Sequence, residues 1–287
     1  MKNNEYHLRV NDRVLGMRFR PARYAALFRD YFDREYSLEK PDLLLDFKIS
    51  SRKEIPDIDD SLFTSKTLNK RCFEMSGGLV KGWYDRDSKH GKIRVHEALA
   101  VSPAIRVFEQ LLYQAFYSSK HAKPADVFLL HSCGIIHRGA GYLFVGPPES
   151  GKSTVARLSL PDIVLNDEVT SVCFSERGIE LCGTPFNGLF KDKSDGCCGL
   201  KALFLLRQGL EQKLTKIAGA EAVKAMMQEI VPPIGLDEVI TPAVREEMLD
   251  IAICIRRSVP VYWLEFQPNR GFWDLIDREI KEERGLP

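Results

Sequence analysis

Tyr142-Leu143-Phe144-Val145-Gly146-Pro147-Pro148-Glu149-Ser150-Gly151-Lys152-Ser153-Thr154 is the stretch on which the reading of this chain turns. Its first four residues form a short apolar run of strand length. Glycine, four residues, then Gly-Lys-Ser is a complete Walker A pattern, and each fixed position has a physical task. The glycines let successive backbone N–H groups turn inward as an anion-binding nest. Lys152 supplies a point charge for the β- and γ-phosphates, and the Ser153 hydroxyl can ligate Mg²⁺. Residues 153–160 have helical composition, so a helix N-terminus points at the same anion. The whole segment 146–154 is therefore the expected nucleotide phosphate site, with a nucleoside triphosphate and Mg²⁺ as its ligands.

Working outward, the next apolar run is Ile163-Val164-Leu165-Asn166, and Asp167-Glu168 follow it directly. Phosphoryl transfer needs an acid for the metal and a group that positions or deprotonates the acceptor. Successive residues at a strand end diverge, so two adjacent carboxylates can divide those roles, and the sequence leaves open which takes which. His131 opens a strand after Phe128-Leu129-Leu130 and is a candidate neighbour of the transferred phosphate. His137 reads as a solvated hairpin residue. Residues 133–137 and 142–145 flank Arg138-Gly139-Ala140-Gly141, a hairpin, so the strand entering the phosphate loop has an antiparallel partner. Residues 169–174 and 179–182 form a second hairpin. Segment 183–188 is turn-rich, and 189–199, with Lys191 and Lys193, suits either a lid over phosphates or an ordinary exposed loop.

The remainder sets bounds. In 287 residues, 44% hydrophobic, there is enough material for one large domain or two modest ones. Lys plus Arg number 41 against 40 Asp plus Glu, a net charge of +1, so no broad nucleic-acid footprint is expected. The N-terminal residues lack the apolar core of a signal peptide and no apolar run is long enough for a membrane span, which points to a cytoplasmic protein without membrane contact. Seven cysteines, an odd number without a Cys-x-x-Cys pair, read as reduced thiols, with Cys197-Cys198 on a mobile loop. The six histidines lack metal-ligand spacing.

Residues 1–122 read as an α+β region. It has strands at 6–10, 14–19 and 43–49, and a helix after Pro21 with Tyr24, Leu27, Phe28 and Tyr31 on one face. A loop is expected over 51–67, then short strands with a polar tip at 85–92. A helix follows the cap Ser102-Pro103, with Ile105, Phe108, Leu112 and Phe116 inward. A linker is expected at 122–125, and residues 123–287 form the second domain. There, further strands are expected at 200–206 and 261–266. Helices are expected at 221–230, from Thr241-Pro242 with Val244, Met248, Ile251 and Ile255 inward, and at 272–283 with Phe272, Leu275, Ile276 and Ile280 inward.

Taken in order, His131 with Gly134, the 138–141 turn, the strand 142–145, the loop 146–154 and Leu165-Asn166-Asp167-Glu168-Val169 resemble the catalytic domain of the HPr kinase/phosphorylase family, over roughly residues 126–268. That family shares its fold with phosphoenolpyruvate carboxykinase. The resemblance implies an α/β fold with a mixed P-loop sheet of HPr kinase C-terminal-domain type beside the N-terminal α+β region. It assigns Asp167 as proton acceptor, Glu168 as the second acid, Ser153 to the metal and His131 near the phosphate. Glu180-Leu181 is followed by Cys182 where the family has arginine, which points to an acceptor other than HPr. The expected activity is an ATP- and Mg²⁺-dependent kinase acting on a hydroxyl of a protein, peptide or small molecule. The alternative is a non-catalytic ATP-binding regulatory or partner-binding protein. Oligomeric state stays open.

Overall fold

The computed structural model describes residues 4–32, 39–50, 64–67, 72–76, 80–85, 87–100, 105–118, 127–176, 178–232 and 240–282. The chain divides into two compact units, Met1–Lys123 with Pro232–Val244, and Pro124–Val231 with Arg245–Pro287. The cap at 102–103 and the linker at 122–125 lie outside the described residues.

Unit 1 is built on a seven-stranded sheet. Its strands are β1 (Glu5–Val10), β2 (Arg13–Arg20), β3 (Leu43–Ser50), β4 (Thr64–Thr67), β5 (Cys72–Ser76), β6 (Val80–Asp85) and β7 (His90–His96). Their order is β1-β2-β3-β7-β6-β5-β4, with β2-β3 and β3-β7 parallel and the other pairs antiparallel. Strict alternation explains why these residues form strands. Leu43, Leu45, Phe47 and Ile49 are buried, while Asp46 and Lys48 face the other way. The apolar face carries α1 (Arg23–Phe32) and α2 (Ile105–Ser118), whose Phe28 and Phe108 meet edge-on at 4.6 Å between ring centroids.

Three expectations change here. Helix α1 begins at Arg23 and buries Ala25, Phe28 and Phe32, an i, i+3, i+7 stripe that passes Leu27 by and leaves it exposed. Thr64–Thr67, expected in a loop, is strand β4, recruited by pairing with β5. The polar tip is shorter than 85–92, since Asp85 and His90 are already paired across the hairpin.

Unit 2 contains β8 (Val127–His137), β9 (Ala140–Val145), α3 (Lys152–Ser159), β10 (Ile163–Asn166), β11 (Val169–Ser175), β12 (Gly178–Cys182), β13 (Cys197–Gln208), β14 (Lys213–Lys216), α4 (Gly219–Met227), all but the first turn of α5 (Pro242–Ser258), β15 (Val261–Phe266) and α6 (Gly271–Glu282). The parallel trio β9, β13 and β15 forms the middle of the sheet. The two strands β9 and β13 carry apolar runs that are covered on both faces, as the burial of Leu143, Phe144, Val145, Leu203, Phe204 and Leu205 shows, whereas β15 leaves Trp263 and Glu265 half-buried.

Around this trio the strands bend. Residues 127–131 of β8 pair with β11, and residues 132–137 pair with β9. Strand β13 likewise pairs first with β12 and then with β9. Pairing therefore closes through β8, β11, β12, β13, β9 and back to β8. The β8–β9 turn is only two residues, Arg138 (φ 51°) and Gly139 (φ 77°), tighter than the expected four.

His137 overturns its reading as a solvated residue. It is buried, its ring stacks on Trp273 at 4.1 Å, and its two nitrogens face Asp162 (2.8 Å) and Asp277 (3.4 Å). Arg138 and Arg270 pair with the same two carboxylates. This network ties α6 to the hairpin. The Trp273 indole in turn donates to Ser159 Oγ (3.0 Å) at the end of α3. Val155, Ala156, Phe144, Phe204, Phe272 and Trp273 share one core, which fixes α3 against the sheet.

Cys197 and Cys198 start β13, and Cys182 is bonded to Cys197. The reading of all seven cysteines as reduced thiols is thereby corrected. Cross-strand register places Cys182 directly opposite Cys197, a pairing that odd cysteine counting cannot see. Cys173 Sγ lies 3.9 Å from Cys182 Sγ. Among the described residues, no helix is long and apolar enough to cross a membrane.

Candidate functional site

The 146–151 loop leaves β9 at the point where β8 changes partners. Ser132, the first residue of β8 paired with β9, lies opposite Val145, while His131 is the last residue paired with β11. Backbones that part at such a point leave room between them, and the loop occupies this place in the fold.

Its conformation needs its glycines. Gly151 has φ 109°, and a Cβ there would come within 2.7 Å of the Phe266 ring. Glu149 also takes positive φ, 66°. The turn is held by Ser150 N donating to Pro147 O (3.1 Å), and its crest by the Gln208 amide donating to Glu149 O (2.9 Å). Lys152 is the first residue of α3, and its ammonium donates to Gly146 O (2.6 Å) and Pro147 O (3.3 Å). Among the described residues no side chain caps the helix, whose leading N–H groups have no intrahelical acceptor. Ser153 and Thr154 are half-buried on the first turn. Among the described residues, Ser150 Oγ is buried without a hydrogen-bond partner.

Asp167 and Glu168 form the bend between β10 and β11. Asn166 builds that bend. Its buried amide donates to Thr184 O (3.0 Å) and Phe186 O (2.8 Å), and its carbonyl oxygen accepts from Glu168 N (2.8 Å) and Val169 N (3.2 Å). The two acids do diverge. Asp167 is only 1% exposed and its carboxylate accepts from Phe190 N (3.1 and 3.2 Å), whereas Glu168 is half-buried.

The cover on Asp167 is the loop 183–196. Its ends meet at the Cys182–Cys197 bond and at Gly183 N donating to Gly196 O (3.0 Å). Residues 183–188 are buried rather than displayed on the surface, and Gly188 fits against the carboxylate so closely that a Cβ would lie 2.0 Å from Asp167 Oδ1. Lys193 folds inward and donates to Pro185 O, Phe186 O and Asn187 Oδ1. It therefore braces the loop from within, while Lys191 is exposed.

His131 sits in the middle of β8 and does not open the strand, because β8 begins at Val127. Its backbone N–H donates to Glu229 O (2.8 Å). Burial lowers its imidazole from the ordinary 6.5. Glu168 opposes that shift and the Lys152 charge reinforces it, so the ring is neutral near pH 7. Burial raises the Glu229 carboxyl above its usual 4.5, against the pull of Lys152. Burial, with the Asp167 charge adding to it, also pushes the Cys133 thiol well above 9.0. Lys152, His131, Glu168, Asp167 and Glu229 thus belong to one electrostatic neighbourhood. Among the described residues, no three His, Cys, Asp or Glu side chains converge as a metal cage.

Set against known proteins, the chain matches no family model, and no curated protein matches it. Glu229 is the member that sequence reasoning missed. It follows α4 in a segment without a motif, and only the bridge Leu130↔Ile230 brings it to β8.

Proposed function

We propose that unit 2 is an ATP- and Mg²⁺-dependent kinase of the HPr kinase type, transferring the γ-phosphoryl group to a hydroxyl of a protein, peptide or small molecule. The observation that carries this reading is the glycine-bounded turn that runs into a helix start without a side-chain cap at Lys152, beside the point where β8 changes partners at His131 and Ser132. An uncapped N-terminus and the unpartnered Ser150 hydroxyl suit a phosphate, which would accept from both. Mg²⁺ usually keeps waters and phosphate oxygens as ligands and needs only one or two protein groups. Ser153 and one acid of the pair would hold it, where it would neutralise phosphate charge.

In this reading the chain's own groups position and relay. Lys152 gives up its bonds to the loop carbonyls for phosphate oxygens. Asp167 takes the acceptor proton once Phe190 withdraws. Neutral His131 donates or accepts a hydrogen bond without adding charge. Unit 1 selects the acceptor.

A second reading, an ATP-binding regulator without transfer, is favoured by one observation: the intended base is buried and already bonded to Phe190 N. Incubating the pure protein with γ-labelled ATP and cell lysate separates the two. A labelled acceptor that is lost with Lys152→Ala supports the kinase. ATP binding by calorimetry without any labelled acceptor supports the regulator.

A further inference from the structure

The face of the unit 1 sheet opposite its helices carries an unusual row. Register sets Arg20 beside Lys48, Lys48 beside Arg94 and Arg94 beside Lys81. These are four cations on four adjacent strands, all exposed and all on one face. Strands lie about 4.8 Å apart, so the row is about 14 Å long. Like charges directly opposite one another destabilise a sheet, and among the described residues none of these four is in an ion pair. The neighbouring row is different. There Arg18 pairs with Asp46 (3.1 Å), and Asp46 also meets His90 (2.8 Å). Sheet stability alone explains the balanced row and not the cationic one.

The two rows line a cavity of about 680 Å³, to which Lys92 adds a fifth cation and Trp83, 38% exposed, an aromatic wall. That volume is within the range of ligand sites. We infer that this surface binds a short acidic peptide segment laid across the strands, its Asp or Glu carboxylates on Arg20, Lys48, Arg94 and Lys81. The arginines offer forks that hold a carboxylate by two hydrogen bonds. An extended peptide advances about 3.3 Å per residue, so about five residues span the row. Nucleic acid is the poorer occupant. Asp46 stands beside the row, and the chain as a whole has a net charge of only +1, whereas duplex or strand binding neutralises an extended run of phosphates. This inference does not rest on the kinase reading, because the binding needs no nucleotide.

The test uses the full chain and a fluorescein-labelled heptapeptide with glutamate at alternate positions, followed by anisotropy without nucleotide. Expected results are saturable binding that weakens as salt rises. Affinity should fall about tenfold or more in Lys48→Glu with Arg94→Glu. It should fall less in Lys48→Gln with Arg94→Gln, which guards against misfolding as the cause. Lys213→Glu with Lys224→Glu, which makes the same charge change in unit 2, should leave affinity unchanged. The charge-reversed protein should bind the same peptide with lysine in place of glutamate. The inference is overturned if the wild-type chain does not bind the acidic peptide, if the unit 2 control weakens binding equally, or if a single-stranded oligonucleotide of similar charge binds more tightly through the same residues.

Discussion

The two sheets of this chain handle charge in opposite ways. In unit 1, charged side chains stand in rows on an open face, each placed by the simple alternation of its own strand. In unit 2, the charged groups lie at a bend where strands change partners, half or fully buried, and they are drawn from segments far apart in sequence. Display on an open face suits recognition of something large and flexible, since water screens each charge and no single one dominates. Burial beside a helix terminus suits chemistry, because each charge alters the proton affinity of its neighbours. On the proposed reading, selection falls to one unit and reaction to the other, a division that experiment can break.

The largest expected effect is on chemistry. Asp167→Asn removes the proposed base while keeping its shape, and single-turnover transfer should slow by roughly 10²–10⁴-fold. ATP affinity should change far less. Transfer at the wild-type rate would make unit 2 a nucleotide-binding regulator. Next comes the cross-link. Cys182→Ser with Cys197→Ser opens a link between residues 15 apart in sequence, which should cost unit 2 about 3 kcal/mol. Urea unfolding of a Trp83→Phe background reads this through Trp263 and Trp273. An unchanged transition would mean that the loop over Asp167 is held by its hydrogen bonds alone.

Lys152→Ala comes third. Losing one or two charge-assisted hydrogen bonds to phosphate should weaken ATP·Mg²⁺ by about 10- to 100-fold in calorimetry, and binding of the acidic peptide to unit 1 should not change. Weakening of both would show that the two units do not divide their tasks. The smallest effect concerns His131. Its proton affinity is lowered on folding, so below pH 6.5 the unfolded chain takes up a proton that the native chain refuses. This contribution is intact above pH 6.5 and is lost as pH falls through that value. His131→Gln should flatten the decline in stability over that window, as followed by melting temperature against pH. The opposite trend from Glu229, which starts at 4.5, is common to both proteins and cancels in their difference.

How far the sequence could carry this reading depended on the range of the forces involved. Strands such as β3 and β15 and the loop before Lys152 were legible because alternation, apolar runs and glycine spacing are local. The antiparallel partner of β9 was legible too, from the glycine-bearing stretch 138–141, although the turn itself proved to be two residues. What escaped was set by pairing across distance. Cys182 meets Cys197 only through register, Glu229 reaches His131 only through an isolated bridge, and His137 is buried only because α6 returns with Trp273 and Asp277. The cationic row was present in the sequence as Arg18-x-Arg20, Asp46-x-Lys48, Lys81-x-Trp83 and Lys92-x-Arg94. Only the strand order shows which of these stand side by side.

The place of β15 and α6 has a consequence for how the protein is made. The 146–151 loop and the acidic pair emerge from the ribosome before β15 and α6, but β15 flanks β13, and Phe272 and Trp273 complete the core that seats α3. A nascent chain halted before Val261 thus carries every motif of the site with no means of holding them in place. Ribosome-bound chains of increasing length should acquire nucleotide-dependent protease resistance only after α6 has cleared the exit tunnel. Until then the apolar faces of β9 and β13 are work for a chaperone.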